Sequence, residues 1–342
     1  MKKCRPIGGL LVAFAWLGAP VHAQVQRFSV TELGALGGST STGYGISDSG
    51  EITGVAMTAG GTAHAFVYSR ARGMIDLGTL GGTTSTGYAI NSSGQVTGVA
   101  IAADGMGRAF LYTPGKGMIG LGTLGGTTST GYAINSGGQV TGVAITADGM
   151  GRAFLYTPGK GMIDLGTLGG TTSTGYAINS GGQVTGVAIT ADGMGRAFLY
   201  TPGKGMIGLG TLGGSTSAGY AINSGGQVTG VAMTASGREQ AFLYTPGRGL
   251  IDLGTLGGVT SVGRAINANG QITGASITVD GERHAFLYEN GVMRDLNSMI
   301  GTRIASRVTL TSGKGINENG WIVATGVNSR TGQMHTYLLR RR

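Results

Sequence analysis

Three histidines, His64, His284 and His335, are the side chains of this 342-residue chain best suited to hold a metal. Each precedes a small residue and an aromatic one, but in different copies of a repeat. Zinc needs nitrogen ligands at about 2.1 Å. Strands about 4.8 Å apart set equivalent positions on neighbouring repeats roughly 10 Å or more apart, too far to share an ion. The position reads instead as a strand start that accepts several polar residues, since Arg108, Arg152, Arg196 and Gln240 occupy it elsewhere. Asp104, Asp148 and Asp192 each precede Gly, but their Ala-Asp-Gly-Met-Gly loop supplies one carboxylate where calcium wants several oxygens close in sequence. They read as turn formers. Met106, Met150 and Met194, soft donors in principle, lie a full repeat apart and read as exposed loop residues. No metal or cofactor is expected.

Catalytic groups are as scarce. The single cysteine, Cys4, lies in the N-terminal leader, and the serines sit mostly in repeated turns without a paired His and Asp. Gly-Gly-Thr-Thr-Ser is glycine-rich but lacks the following helix and lysine of a phosphate loop, and reads as a tight crossing between repeats. The chain is therefore expected to be no enzyme. The residues that depart from repetition are Arg303, Arg307 and Lys314, the candidate interaction residues.

Positioning falls to a repeat of 44 residues, best seen in Asp164 to Ile207. Leu-Gly-x-Leu-Gly-Gly begins at Leu33, Leu77, Leu121, Leu165, Leu209 and Leu253, with a degenerate seventh copy at Asp295-Leu296. Two further markers, an Ile before a polar turn and the His-Ala-Phe-like segment, also occur seven times. Gly122 to Ile163 and Gly166 to Ile207 are identical, the mark of recent duplication. Between Leu296 and Ile316 the last copy carries an insertion of seven residues.

Within one unit the pattern predicts four strands, Gly175 to Asn179, Gln183 to Ile189, Arg196 to Thr201 and Met206 to Leu212, separated by hairpin-sized turns. Ala-Phe-Leu-Tyr is apolar on both faces, as in a sheet covered on both sides. A four-stranded unit of this length is that of a propeller blade. The expected fold is all-β, a seven-bladed β-propeller of four-stranded blades. The phase supports closure: residues 28–36 form a fourth-strand element and 335–339 a third-strand element, so the N-terminal strand completes the C-terminal blade and removes exposed edges.

Residues 1–23 read as a secretory signal peptide, with Lys2, Lys3 and Arg5 before an apolar run and small residues at Val21-His22-Ala23. The mature chain, 24–342, is then a single repeat domain, secreted to the periplasm or beyond, without a membrane span. Its 71 glycines recur in register with apolar residues, which argues for folded turns over a flexible polymer. Loss of the leader lowers the formal charge from +9 to +6, half of it in the terminal run Arg340, Arg341 and Arg342, which reads as a solvated tail. The basic face with interleaved aromatics of a nucleic-acid binder is missing.

Leu-Gly-Thr-Leu-Gly-Gly, Ala-Ile-Asn-Ser-x-Gly-Gln-Val-x-Gly and the triplets His64-Ala65-Phe66 and His284-Ala285-Phe286 together resemble the HAF family of extracellular bacterial repeat proteins. The resemblance covers about Phe28 to Leu339, and the triplet varies to Arg108, Arg152, Arg196, Gln240 and His335-Thr336-Tyr337. It implies a secreted or surface β-repeat protein and brings no activity or ligand. The expected function is a monomeric, non-catalytic scaffold that binds an extracellular or cell-envelope partner, a glycan or a protein, by multivalent contact. The alternatives are a self-associating surface protein and an enzyme with its site in the irregular last repeat.

Overall fold

The computed structural model describes residues 28–341. The leader expected over residues 1–23, and Arg342, lie outside the described residues. Seven four-stranded antiparallel sheets form a ring of blades. The fourth blade, typical of the middle copies, comprises strands Gly169–Ile178, Val184–Thr190, Gly195–Thr201 and Gly205–Gly210 in that spatial order. The first strand of every blade is innermost and touches its counterparts in both neighbours, including the contact between Gly37–Ile46 and Val308–Ile316 that completes the ring. Closure is as expected: Phe28–Glu32 pairs with Met334–Arg341, with Val30 opposite Leu339 and Glu32 opposite Tyr337, so the last blade takes its outermost strand from the N-terminal side.

The innermost strand begins several residues before the predicted start. Gly-Gly-Thr-Thr-Ser is its first half, not a crossing, and the ladder breaks between Gly169 and Ser173. Gly169 has φ +96°, and Gly169 N–H donates to the hydroxyl of Thr167, which itself donates to the Gly170 carbonyl. An irregularity that starts on a left-handed glycine disturbs the period of two from which strands are read.

Blades hold one another through a recurring set of buried contacts. Phe198, Val184 and Ile178 of the fourth blade pack with Ala153, Leu155 and Leu165 supplied by the third. Thr141, fully buried, donates its hydroxyl to the Phe154 carbonyl of its own blade at 2.7 Å, while a Cβ at Gly175 of the next blade would lie 2.3 Å from that hydroxyl oxygen. Across one end of the ring, Asn91, Asn135, Asn179, Asn223 and Asn267 each donate Nδ2–H to the carbonyl of the corresponding asparagine one blade on, at 3.0 to 3.1 Å. Asn317 carries the ladder across the closure to the Ser47 carbonyl at 3.2 Å.

Arg340 and Arg341 are not the solvated tail that their sequence suggests. Arg340 lies 4.5 Å over the Trp321 ring and Arg341 pairs with Glu289 at 2.6 Å, because both belong to the strand that receives the N-terminal one.

Inside a blade the innermost strand lies so close to the next that a Cβ at Gly142 would stand 1.8 Å from the Thr130 carbonyl oxygen and 2.9 Å from Phe154. Gly142→Ala is expected to lower stability by about 3 kcal/mol or more through overpacking, read from the urea midpoint. Gly151→Ala is expected to change it little, since a Cβ there meets Val143 at an ordinary 3.5 Å and the first blade carries Ala63 at this register.

Candidate functional site

On each innermost strand the residue after the packed glycine lies beside its counterparts around the axis. In the first five blades it is tyrosine, and the rings of Tyr44, Tyr88, Tyr132, Tyr176 and Tyr220 follow one another with centroids 5.4 to 5.6 Å apart and planes tilted by 52° to 56°. Partial burial raises all five phenol pKa values, because the phenolate would lose water. In the sixth and seventh blades the same register holds Arg264 and Lys314.

These two half-buried cations lie near a third, the exposed Arg283 at the start of the third strand of the sixth blade. Burial, then the charges of Arg264 and Arg283, push the Lys314 ammonium down to about 8. Burial, then Arg283, lowers Arg264 as well, against a smaller opposing influence from Tyr220. Arg264 Nε is buried and has no hydrogen-bond partner in the protein. A cavity of about 270 Å³ adjoins Arg264, walled by Tyr220, Val231 and Glu239 of the fifth blade and Thr260 and Arg283 of the sixth. Glu239 is exposed, and among the described residues no carboxylate forms an ion pair with Arg264, Arg283 or Lys314. The arrangement is a concavity lined by Arg264, Arg283 and Glu239 beside the Tyr220 ring.

The expected interaction residues divide between two places. The insertion forms two short helices, α1 (Leu296–Met299) and α2 (Thr302–Ala305). Arg303 on α2 and Arg307 just after it are exposed. Lys314, expected beside them, belongs to the innermost strand at the tyrosine register. The insertion is also partly core: Leu296, Met299 and Ile300 are buried with Val308 and Leu310.

The histidines form no shared cluster, and each pairs within its blade. His64 binds Asp76 at 2.8 Å, His284 binds Asp295 at 2.7 Å and His335 binds Glu32 at 3.0 Å. In the fifth blade Gln240 plays the same part, its amide nitrogen turned toward Asp252 Oδ1 at 2.6 Å. The acid comes from the fourth strand or its end, so these pairs clamp the third strand to the fourth. Where the third strand carries Arg108 or Arg196, glycine (Gly120 or Gly208) replaces the acid. Arg108 instead reaches Asp104 at 2.9 Å. Thr62 Oγ1 lies 3.3 Å from His64 Nε2 and extends one pair into a hydroxyl, imidazole and carboxylate series. Asp148 and Asp192 accept hydrogen bonds from Thr146 and Thr190, which hold their carboxyls below the usual range.

The Arg264 and Lys314 substitutions were visible in the sequence as one column of the seven copies, Tyr five times, then Arg, then Lys. Only the ring places that column around an axis, and only the folding of the sixth blade brings Arg283 near it.

No protein-family model matches the chain, and no curated protein matches it. Among solved structures it is similar to the β-propeller domain of the Trilobed protease from Pyrococcus furiosus, with a TM-score of 0.59 and 10% identity over 88% of this chain and 97% of that one. It is similar to the acylaminoacyl peptidase of Pyrococcus horikoshii at a TM-score of 0.54 and 10% identity, over 91% of this chain but 54% of that one. YCF48 bound to D1 peptide gives a TM-score of 0.51 and 10% identity over 92% and 96%. At such identities the likeness is one of fold: the chain is a β-propeller.

A lysine released from its proton in the folded chain at about 8, against an ordinary 10.5, means that the unfolded chain holds more protons between those values. Stability therefore rises with pH through that window, and the penalty for burying Lys314 is fully present below it. Tyrosines kept neutral by burial act oppositely, and their contribution fades only above pH 10.0. Lys314→Tyr is expected to melt higher than the native chain at pH 7. Melting curves taken from pH 7 to 10 should show that gap narrowing, and a constant gap would contradict the assignment.

Proposed function

We propose that this chain is a secreted, non-catalytic binding scaffold of the HAF type, which engages a repetitive extracellular partner such as a glycan or surface polymer through repeated loops. The observation that carries this reading is the distribution of variation. The face on which the innermost strands begin bears the turns between second and third strands, with Met106, Met150 and Met194 exposed, together with α1, α2, Arg303 and Arg307. The opposite face bears the asparagine ladder and nearly uniform Pro-Gly-Lys-Gly turns with exposed Lys116, Lys160 and Lys204. Near-identical loops at near-identical spacing suit a ligand with repeated groups, and multivalent contact amplifies weak single contacts. The signal-like leader supports secretion, and no helix among the described residues is long and apolar enough to cross a membrane.

The Thr62, His64 and Asp76 series favours a second, enzymatic reading, since it orders the group types of a hydrolase triad. Against it, the histidine–acid pair recurs at His284 and His335 beside Glu282 and Gln333 in place of Thr62, as expected of a strand clamp.

Because α1 fills core, excising the insertion would damage the seventh blade, so point changes are the cleaner probe. The mature chain on a glycan array is expected to give reproducible hits, and Arg303→Glu with Arg307→Glu to weaken them at least tenfold with the melting midpoint unchanged. Absence of hits combined with concentration-dependent assembly would favour the self-associating alternative.

A further inference from the structure

We infer that Arg264 and Arg283, with the charge of Lys314 close by, form a binding site for a small oxyanion, a carboxylate or phosphate carried on a compact, hydroxylated body, seated in the cavity that the two arginines line between the fifth and sixth blades beside Tyr220. This site is separate from the loop-and-insertion surface, and its test does not depend on that reading.

Three observations converge on it. The cations are not demanded by the fold: five of seven blades place tyrosine at the Arg264 and Lys314 register and close the same packing without charge. Like charges brought together out of water repel one another and lose solvation, and only a counter-charge offsets that. None is supplied among the described residues, since Glu239, the acid of the cavity wall, forms an ion pair with none of the three. Finally, Arg264 presents a buried Nε–H that no protein atom accepts, although buried donors in native structures are almost always satisfied. A guanidinium in that condition matches the paired oxygens of a carboxylate or phosphate.

Size and lining narrow the ligand. About 270 Å³ is at the low end of ligand pockets and excludes a long chain lying wholly inside. Tyr220 offers a ring edge and face to the body of the ligand, and Thr260 a hydroxyl for hydrogen bonding. An acidic monosaccharide and a sugar phosphate share this chemistry, and direct binding measurements separate them.

Isothermal titration calorimetry of the mature chain at pH 7 would use galacturonate, glucose 6-phosphate and uncharged galactose as probes. Binding of either anion with none of galactose is the expected result, and whichever anion binds more tightly names the source. Arg264→Tyr and Lys314→Tyr install the residue that the repeat itself uses, so both variants should fold, which a melting midpoint at or above that of the native chain would verify. Arg264→Tyr is expected to weaken anion binding at least tenfold and Lys314→Tyr, which removes a charge near the cavity but not in its wall, to weaken it less, while Lys204→Gln on the opposite face leaves it unchanged. Failure of both anions to bind, or binding retained in the Arg264→Tyr, Lys314→Tyr double variant, would overturn the site.

Discussion

The ring depends on one close approach, repeated from blade to blade. A buried threonine on the second strand satisfies its hydroxyl on the carbonyl of its own blade's phenylalanine, and a glycine on the next innermost strand packs onto it with no side chain between. A Cβ at Gly131, Gly175 or Gly219 would fall 2.3 Å from the neighbouring threonine oxygen, so any larger residue would wedge the blades apart near the axis. Buried threonine would be costly without that internal acceptor. The apolar cluster shared by neighbouring blades can be continuous only because this contact is so short.

Once the innermost strands are held at that distance, the residue after each glycine has no choice but to meet its counterparts around the axis. Five tyrosines answer the crowding by tilting against one another, a geometry that aromatic rings favour over face-to-face stacking. The two remaining places are filled by cations, and burial lowers the pKa of both, with Arg283 adding to each and Arg264 to Lys314. The chemical centre of the molecule is thus a by-product of its packing centre: the same constraint that builds the ring concentrates the departures from repetition into one narrow volume.

Near-perfect repetition has a second consequence. Similar interfaces give the fold redundancy, which lets individual blades drift while the threonine–glycine contact holds at six of the seven; at the closure Val323 stands at the threonine register and Gly43 packs on Thr336 of the third strand instead. The third-to-fourth-strand clamp shows the drift, since histidine and glutamine both hold the fourth-strand acid there, whereas Arg108 turns to Asp104 instead. In the seventh blade the drift extends to an insertion whose first helix has become core and whose second displays two exposed arginines.

The period of 44 residues, the four strands and three turns per unit and the phase of the repeat were enough to determine the number of blades, their strand count and the way the termini close the ring. All of these follow from local turn chemistry and apolar spacing, which act over a few residues. The exposed Arg303 and Arg307 were legible for the same reason, as a break in the spacing. The start of the innermost strand was not, because glycines at positive φ interrupt its alternation, and neither was the fate of Arg340 and Arg341, which depends on a strand some 300 residues away. Lys314 was legible as an exception and misplaced as a neighbour of Arg303. Whether a residue faces solvent or the axis is decided by tertiary packing, and only the packing of consecutive blades sets Arg264 and Arg283 around one cavity with Lys314 near them.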